Sequence, residues 1–242
     1  TIDEGNSCWI IGDIHGYSET FNELINKLNL TLQDVVLCLG DLIDKGPDSF
    51  QVLQTVEKSK QIFSIRGNHE EMMRLSVSPK HGKMMKSWLK YGGLSTLESF
   101  SKNKNLQIEL ARKWLPFIEN MPTEVVLDKY RLVHAGYEDK IPLESQKKQQ
   151  QIWGRTIFEV KKPHDMGRQI IVGHTPVQKL NILGKEDIWI SDISLIDGRP
   201  SVKCIDTGIF LEEHFFPRIT ALNLTNGDVI YQKKIENYWF SS

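Results

Sequence analysis

An α/β fold is predicted by three patterns in the sequence. Short apolar strands alternate with amphipathic helices up to about residue 65. Helical spacing then takes over from about residue 70 to residue 120. After Pro122 short strands return around turn dipeptides. The opening alternation implies a mostly parallel sheet covered on both faces. In such a sheet, functional groups collect beyond the carboxyl ends of the strands.

The elements follow in order. Ser7–Ile11 is a buried strand ending at glycine, followed by a helix with Phe21, Leu24, Ile25 and Leu28 at i, i+3, i+4 and i+7. Val35–Leu39 and Ile62–Ile65 are the next strands, and between them Pro47-Asp48 opens a helix with Val52, Leu53 and Val56 on one face. In the helical stretch Met72, Met73, Trp88, Leu89, Leu94, Leu97, Phe100, Trp114, Leu115 and Ile118 recur at helical spacing, broken by Pro79 and Gly92-Gly93. This reads as a helical insertion beside the sheet, its methionines filling gaps in the core ahead of the alternative that Met and Trp line a substrate cleft. Glu124–Leu127 and Tyr130–His134 form a hairpin about Asp128-Lys129, and Ile170–Val172 leads into Gly173-His174. Ile188–Ile193 pairs with Ser201–Ile205 about Asp197-Gly198, and Ile219–Leu224 with Val229–Ile235 about Asn226-Gly227. Glu144–Gln151 reads as a solvated linker or mobile loop whose lysines are surface charge.

The bulk properties narrow the class. With 242 residues, 40% apolar and 25% charged, the chain is sized for one domain, taken as 1–242. A formal charge of −1 offers no global basic field for a nucleic-acid duplex. No apolar run approaches the roughly 18 residues needed to span a bilayer. Cys8, Cys38 and Cys204 lie in apolar runs without paired spacing, which favours buried thiols over a disulfide or zinc scaffold. Thr1–Gly5 lacks the basic and apolar regions of a signal peptide, so the expectation is a cytoplasmic protein that needs no membrane. The chain does not start with Met, which leaves a segment ahead of Thr1 open.

Six glycine-flanked signatures end or follow these apolar runs. They are Gly12-Asp13-Ile14-His15-Gly16, Gly40-Asp41-Leu42-Ile43-Asp44, Gly67-Asn68-His69-Glu70, His134-Ala135-Gly136, Gly173-His174-Thr175 and Ile205-Asp206-Thr207-Gly208. One strand-end Asp or His is usually a satisfied turn residue; six together suit a metal centre. Mixed Asp, His and Asn donors without thiolate favour hard or borderline divalent ions such as manganese, iron or zinc. Two such ions, roughly 3.5–4 Å apart, lower the pKa of a bridging water and neutralise charge on a phosphate. Asp41 is short, anionic and placed to bridge. His69, next to Asn68, is placed to reach a leaving group, with Asp44 to orient its imidazole as a general acid. Arg155 and Arg66 are candidate grips on phosphate oxygens.

In order and spacing these motifs resemble the calcineurin-like metallophosphoesterases, in particular the phosphoprotein phosphatase branch with its bacterial and bacteriophage lambda-type Ser/Thr protein phosphatases. The resemblance runs over almost the whole chain and includes Gly67–Met73, Trp88-Leu89 before Gly92-Gly93, Ile152-Trp153-Gly154-Arg155 and Gly173-His174-Thr175-Pro176. It implies a central β-sandwich of two mixed sheets flanked by helices. One ion would be held by Asp13, His15 and Asp41, the other by Asp41, Asn68, His134 and His174, with manganese ahead of iron or zinc. His69 with Asp44 would be the acid pair, Arg155 a phosphate clamp, and Asp206 a support for the site.

Two features depart from that branch. Lys45 stands where it usually has arginine, and loses the planar two-pronged grip on phosphate. Asn181–Lys203 is longer than the lambda-type equivalent and carries an extra hairpin. Lys45-Gly46-Pro47-Asp48-Ser49 also resembles relatives that cleave dinucleoside polyphosphates, although those often lack Asp44 and replace Glu70. The expected function is therefore hydrolysis of phosphoserine and phosphothreonine in proteins by direct attack of the bridging hydroxide. Hydrolysis of diadenosine tetraphosphate is the alternative, and a non-catalytic binding scaffold the third reading. The expected partner is a phosphoprotein or a phosphorylated small molecule; oligomeric state is open.

Overall fold

The computed structural model describes residues 6–79, 84–180 and 188–236. Five strands form the first sheet: β1 (Cys8–Ile11), β2 (Val35–Cys38), β3 (Ile62–Ser64), β9 (Arg218–Asn223) and β10 (Val229–Lys233), in the order β10-β9-β1-β2-β3. β1, β2 and β3 are parallel, while β9 and β10 are antiparallel to their neighbours. The second sheet orders β4 (Glu124–Val126), β5 (Tyr130–Val133), β6 (Gln169–Val172), β8 (Val202–Cys204) and β7 (Trp189–Ile190). There β5, β6 and β8 are parallel, and β4 and β7 antiparallel edges.

Strand periodicity explains how the two sheets meet. Successive side chains point to opposite faces. Ile10, Leu37, Leu222, Leu132 and Ile171 therefore form one buried cluster shared by both sheets. Trp9, Ile11, Val36 and Cys38, offset by one residue, join the helices in a second cluster. Strand–helix alternation alone predicts helices on both faces of a single sheet, and here that reading is corrected. Helices α1 (Ser18–Lys27) and α2 (Ser49–Lys58) lie against the first sheet on its Trp9 face; its other face is covered by the second sheet. The result is the sandwich of two mixed sheets that the resemblance implies.

Between β3 and β4 the chain is helical: α3 (Asn68–Val77), α4 (Met85–Trp88), α5 (Leu94–Phe100), α6 (Lys104–Lys113) and α7 (Leu115–Asn120). The break between α4 and α5 lies at Gly92, whose φ of 108° is left-handed. A Cβ there would stand 2.8 Å from the Lys45 backbone nitrogen, so only glycine lets this segment touch the Lys45 loop.

The stretch read as a linker is instead ordered, with helix α8 at Lys148–Trp153. The Gln150 side chain accepts from Lys147 N at 3.0 Å, and Gln151 and Ile152 are buried. Lys147 and Lys148 are exposed, as surface charge should be. Of the predicted Asn181–Lys203 insertion, 181–187 lie outside the described residues; the remainder supplies β7 and β8, joined beyond the strands by a Ser194–Pro200 bridge. Cys8, Cys38 and Cys204 are buried and unpaired.

Candidate active site

The predicted ligands come from the ends of strands in both sheets. Asp13 and His15 follow β1, Asp41 follows β2, Asn68 begins α3 after β3, His134 follows β5 and His174 follows β6. His15, Asp41 and His174 have φ values of 50°, 48° and 66°, and Asp44 and Lys45 have 73° and 70°. Non-glycine residues rarely adopt this left-handed conformation, which costs about 1–3 kcal/mol each and persists where the surroundings impose it. Here it turns side chains that the strands would send apart into one space. Glycine makes room for them: a Cβ on Gly67 would collide with Asp41 Oδ1, and one on Gly173 with Asp13 Oδ1.

Two groups of candidate metal ligands result. Donor atoms of His15, Asp41 and His69 lie within 4.8 Å of one another, as do those of Asp41, His134 and His174. Asp41 belongs to both. Its Oδ1 is 3.3 Å from His134 Nε2, and its Oδ2 is 3.7 Å from His15 Nε2. Asp13 stands beside the first group, with Oδ2 3.9 Å from His15 Nε2, and accepts the His174 backbone N–H at 3.1 Å.

Donor chemistry tests whether cations fit. His134 Nδ1–H donates to the Leu39 carbonyl at 2.7 Å, which leaves Nε2 as a lone pair. That lone pair faces Asn68 Oδ1 at 2.9 Å and Asp41 Oδ1 at 3.3 Å. His174 Nδ1 lies 2.7 Å from the same Asn68 oxygen, and His174 Nε2 is buried without a partner. Acceptors converging on acceptors in a buried space suit a divalent ion, which they would coordinate. Burial holds His15, His134 and His174 below the ordinary imidazole pKa, favouring the neutral form that ligates metal.

The carboxylates divide electrostatically. Burial pushes Asp13 well up, reinforced by Asp206 and Asp41. Asp206 is pushed up to about 6 by burial; its Oδ1 accepts from Gly208 N at 2.9 Å, and its Oδ2 has no partner. Burial would raise Asp41 too, but His134, His69, His15 and Lys45 surround it and hold it far below the usual carboxylate range. Asp41 is thus the carboxylate kept ionised between the two groups.

A carboxylate–imidazole pair overlaps the first of these groups. His69 Nδ1 lies 2.6 Å from Asp44 Oδ2. Asp44 is fully buried and also accepts from Trp88 Nε1 at 2.9 Å and from Thr96 Oγ1 at 2.5 Å. The far nitrogen of His69, Nε2, lies 3.8 Å from Asp41 Oδ2. Above these groups opens a cavity of about 370 Å³ whose lining includes Asp41, His69, His174, Lys45, Arg155 and Phe210. Arg155, just after α8, is anchored by a 3.0 Å bond from Nη1 to Thr175 Oγ1.

Residues 7–208 match the Calcineurin-like phosphoesterase family. The chain belongs to that family. It is 30% identical to serine/threonine-protein phosphatase 2 of Escherichia coli over 132 residues, 53% of this chain and 58% of that protein, and so spans little more than half of that relative. It is 28% identical to the asymmetrical bis(5'-nucleosyl)-tetraphosphatase PrpE of Anoxybacillus flavithermus over 218 residues, 78% of this chain and 83% of that protein. A protein serine/threonine phosphatase of known structure from Saccharomyces cerevisiae superposes with a TM-score of 0.60 at 12% identity, covering 96% of this chain and 81% of that one, which is likeness of fold. Among the described residues no helix is long and apolar enough to cross a membrane.

Sequence reasoning misplaced one residue of this calcineurin-like phosphoesterase and missed others. Arg66 was expected on phosphate. Its guanidinium is buried against Glu71 at 3.6 Å and does not line the cavity, because α3 begins immediately after it and brings Glu71 over it. Glu70 was missed as an organiser: its carboxylate accepts the backbone N–H groups of Asp41, Leu42 and Gly67 at 2.9, 2.8 and 2.8 Å. Its spacing of three residues from Gly67 was a usable signal. Trp88 and Thr96 were missed as holders of Asp44, since helical spacing reports burial and not where an N–H or O–H points. Tyr91, Lys179 and Phe210 join the cavity wall without a sequence signature, beside Trp153 of the Ile152–Arg155 motif.

Proposed function

We propose that this phosphoesterase is a two-metal phosphomonoesterase acting on phosphoserine and phosphothreonine in proteins. The observation that carries the reading is the Asp44–His69 pair, whose imidazole stands in the first of the two ligand groups. An alkoxide leaves poorly unless protonated, and an imidazole oriented by a carboxylate is suited to protonate it. Asp13, His15 and Asp41 would hold one divalent ion, and Asp41, Asn68, His134 and His174 the other, manganese being the preferred ion. When bound, the ions supply an acidified water and counter the phosphate's charge. Arg155 and Lys45, on the cavity wall, hold phosphate oxygens. His69 Nε2 delivers the proton to the leaving oxygen, while Asp44 fixes the imidazole through Nδ1.

A second reading, hydrolysis of dinucleoside polyphosphates, draws support from Lys45 in place of arginine and from the tetraphosphatase relative. Tyr91, Trp153 and Phe210 in the wall also offer faces on which a base can stack. The deciding experiment loads the chain with Mn²⁺ and compares kcat/KM on a phosphothreonine peptide and on diadenosine tetraphosphate. The phosphopeptide is expected to be cleaved faster. Faster cleavage of the nucleotide would replace the first reading with the second, and cleavage of neither by ion-loaded protein would overturn both.

A further inference from the structure

Lys45 reaches past the cavity wall to the first ligand group. His15 Nδ1 lies 3.1 Å from the Ile43 carbonyl and donates its N–H there, which leaves Nε2 as the lone pair facing inward. Lys45 Nζ is 2.9 Å from that Nε2 and donates to it. The same ammonium lies 3.5 Å above the centroid of the Phe210 ring, which is itself edge-on to His15 at 5.1 Å. An imidazole lone pair on one side and an aromatic face on another make a fitted socket for a compact cation. Burial pulls the Lys45 pKa below its ordinary value, and the carboxylates of Asp41, Asp206, Asp13 and Asp44 oppose that by attracting the ammonium.

The backbone aims this side chain inward. Asp44 and Lys45 are consecutive left-handed residues, and Lys45 N donates to the Gly92 carbonyl at 3.3 Å. The loop is thereby pinned to the kink before α5. Among the described residues no ammonium is hydrogen-bonded to the second group, where His134 Nε2 and His174 Nδ1 meet Asn68 and Asp41.

We infer that Lys45 is a tethered competitor for the first ion. One lone pair serves either an N–H or a metal, so the position at His15 loads only when Lys45 swings away toward the cavity. The two ion positions are therefore unequal: the one at Asn68, His134 and His174 is tight, and the one at His15 is weakened by an internal cation. Lys45 in this way couples loading of the first ion to delivery of its ammonium into the space where phosphate binds. The inference rests on the two-ion reading proposed above.

The test is a titration of metal-free protein with Mn²⁺, followed by calorimetry and by electron paramagnetic resonance of the free ion. Wild type should bind two ions in two separated steps. An amine that holds the position in about nine molecules of ten weakens its apparent affinity about tenfold, so Lys45→Gln should tighten the weaker step by about that factor and leave the tighter step unchanged. Wild-type protein gives a second readout that needs no variant: reductive methylation should spare Lys45 in chelated protein and label it after ion loading. An unchanged weaker step in Lys45→Gln, or Lys45 labelling indifferent to loading, overturns the competitor role while the two-ion reading stands. Failure of wild type to bind two ions overturns the two-ion reading itself, and this inference with it.

Discussion

His69 and Asp44 meet at 2.6 Å although they belong to different motifs, 25 residues apart, and Asp44 is fully buried beneath the imidazole. Trp88 and Thr96, from the helical stretch, donate to the same carboxylate. The helical stretch thus supports the proposed acid pair from behind while the two sheets present the candidate ligands in front.

His69→Asn should slow turnover of alkyl phosphates by about 10²–10⁴-fold, the usual contribution of a lost acid–base group. The loss should shrink on nitrophenyl phosphate, whose leaving group needs little protonation. Bound metal, measured by elemental analysis, should be unchanged. Equal losses on both substrates would give His69 a positioning role instead.

Trp88→Phe removes one N–H from Asp44 and leaves a buried carboxylate short of a donor, which costs about 1–3 kcal/mol. Thermal unfolding should show that loss. The rate on alkyl phosphates should fall more than the rate on nitrophenyl phosphate, the pattern of His69→Asn in weaker form. A stability loss with both rates unchanged would separate Trp88 from the acid pair.

Arg155→Ala should raise KM for phosphomonoesters and lower kcat/KM, because Arg155 lines the cavity where the phosphate is proposed to bind. Arg155→Lys should recover only part of this, since an ammonium lacks the two-pronged grip of a guanidinium. Thr175→Val removes the anchor of the guanidinium and should raise KM with a smaller effect on kcat. Steady-state kinetics on one phosphopeptide distinguishes the three.

Asp206 predicts a pH dependence in chelated protein. Its folded pKa is raised to about 6, so between the ordinary carboxylate value and that point the folded chain binds more protons than the unfolded one. Stability should therefore fall as pH rises through this window. Asp206→Asn should flatten that decline, both by removing the titration and by relieving the repulsion that raises Asp13. Melting temperatures of the two chelated proteins between about pH 4.5 and 6.5 provide the measurement; parallel curves would mean that Asp206 does not carry this cost.

Much of the site was legible in the sequence because its chemistry is local. An Asp, His or Asn within two residues of a glycine at the end of an apolar run announces a donor at a sheet edge, and each of the six proposed ligands stands in such a signature. The strand and helix periods were equally local, so most elements stand within a residue or two of their expected bounds; the β7 strand is shorter than Ile188–Ile193. Tertiary structure decided what depends on distant partners. The second sheet, not a second layer of helices, covers the first, because two apolar strand faces meet. Arg66 turned to Glu71 because α3 carries that carboxylate over it. Lys45 reached His15 because two left-handed residues and the Gly92 kink aim it inward, and Trp88 became a donor to Asp44 because the helical stretch folds back onto the β2 loop. Residue type and spacing determine which groups a chain can offer; long-range packing determines which of them face one another.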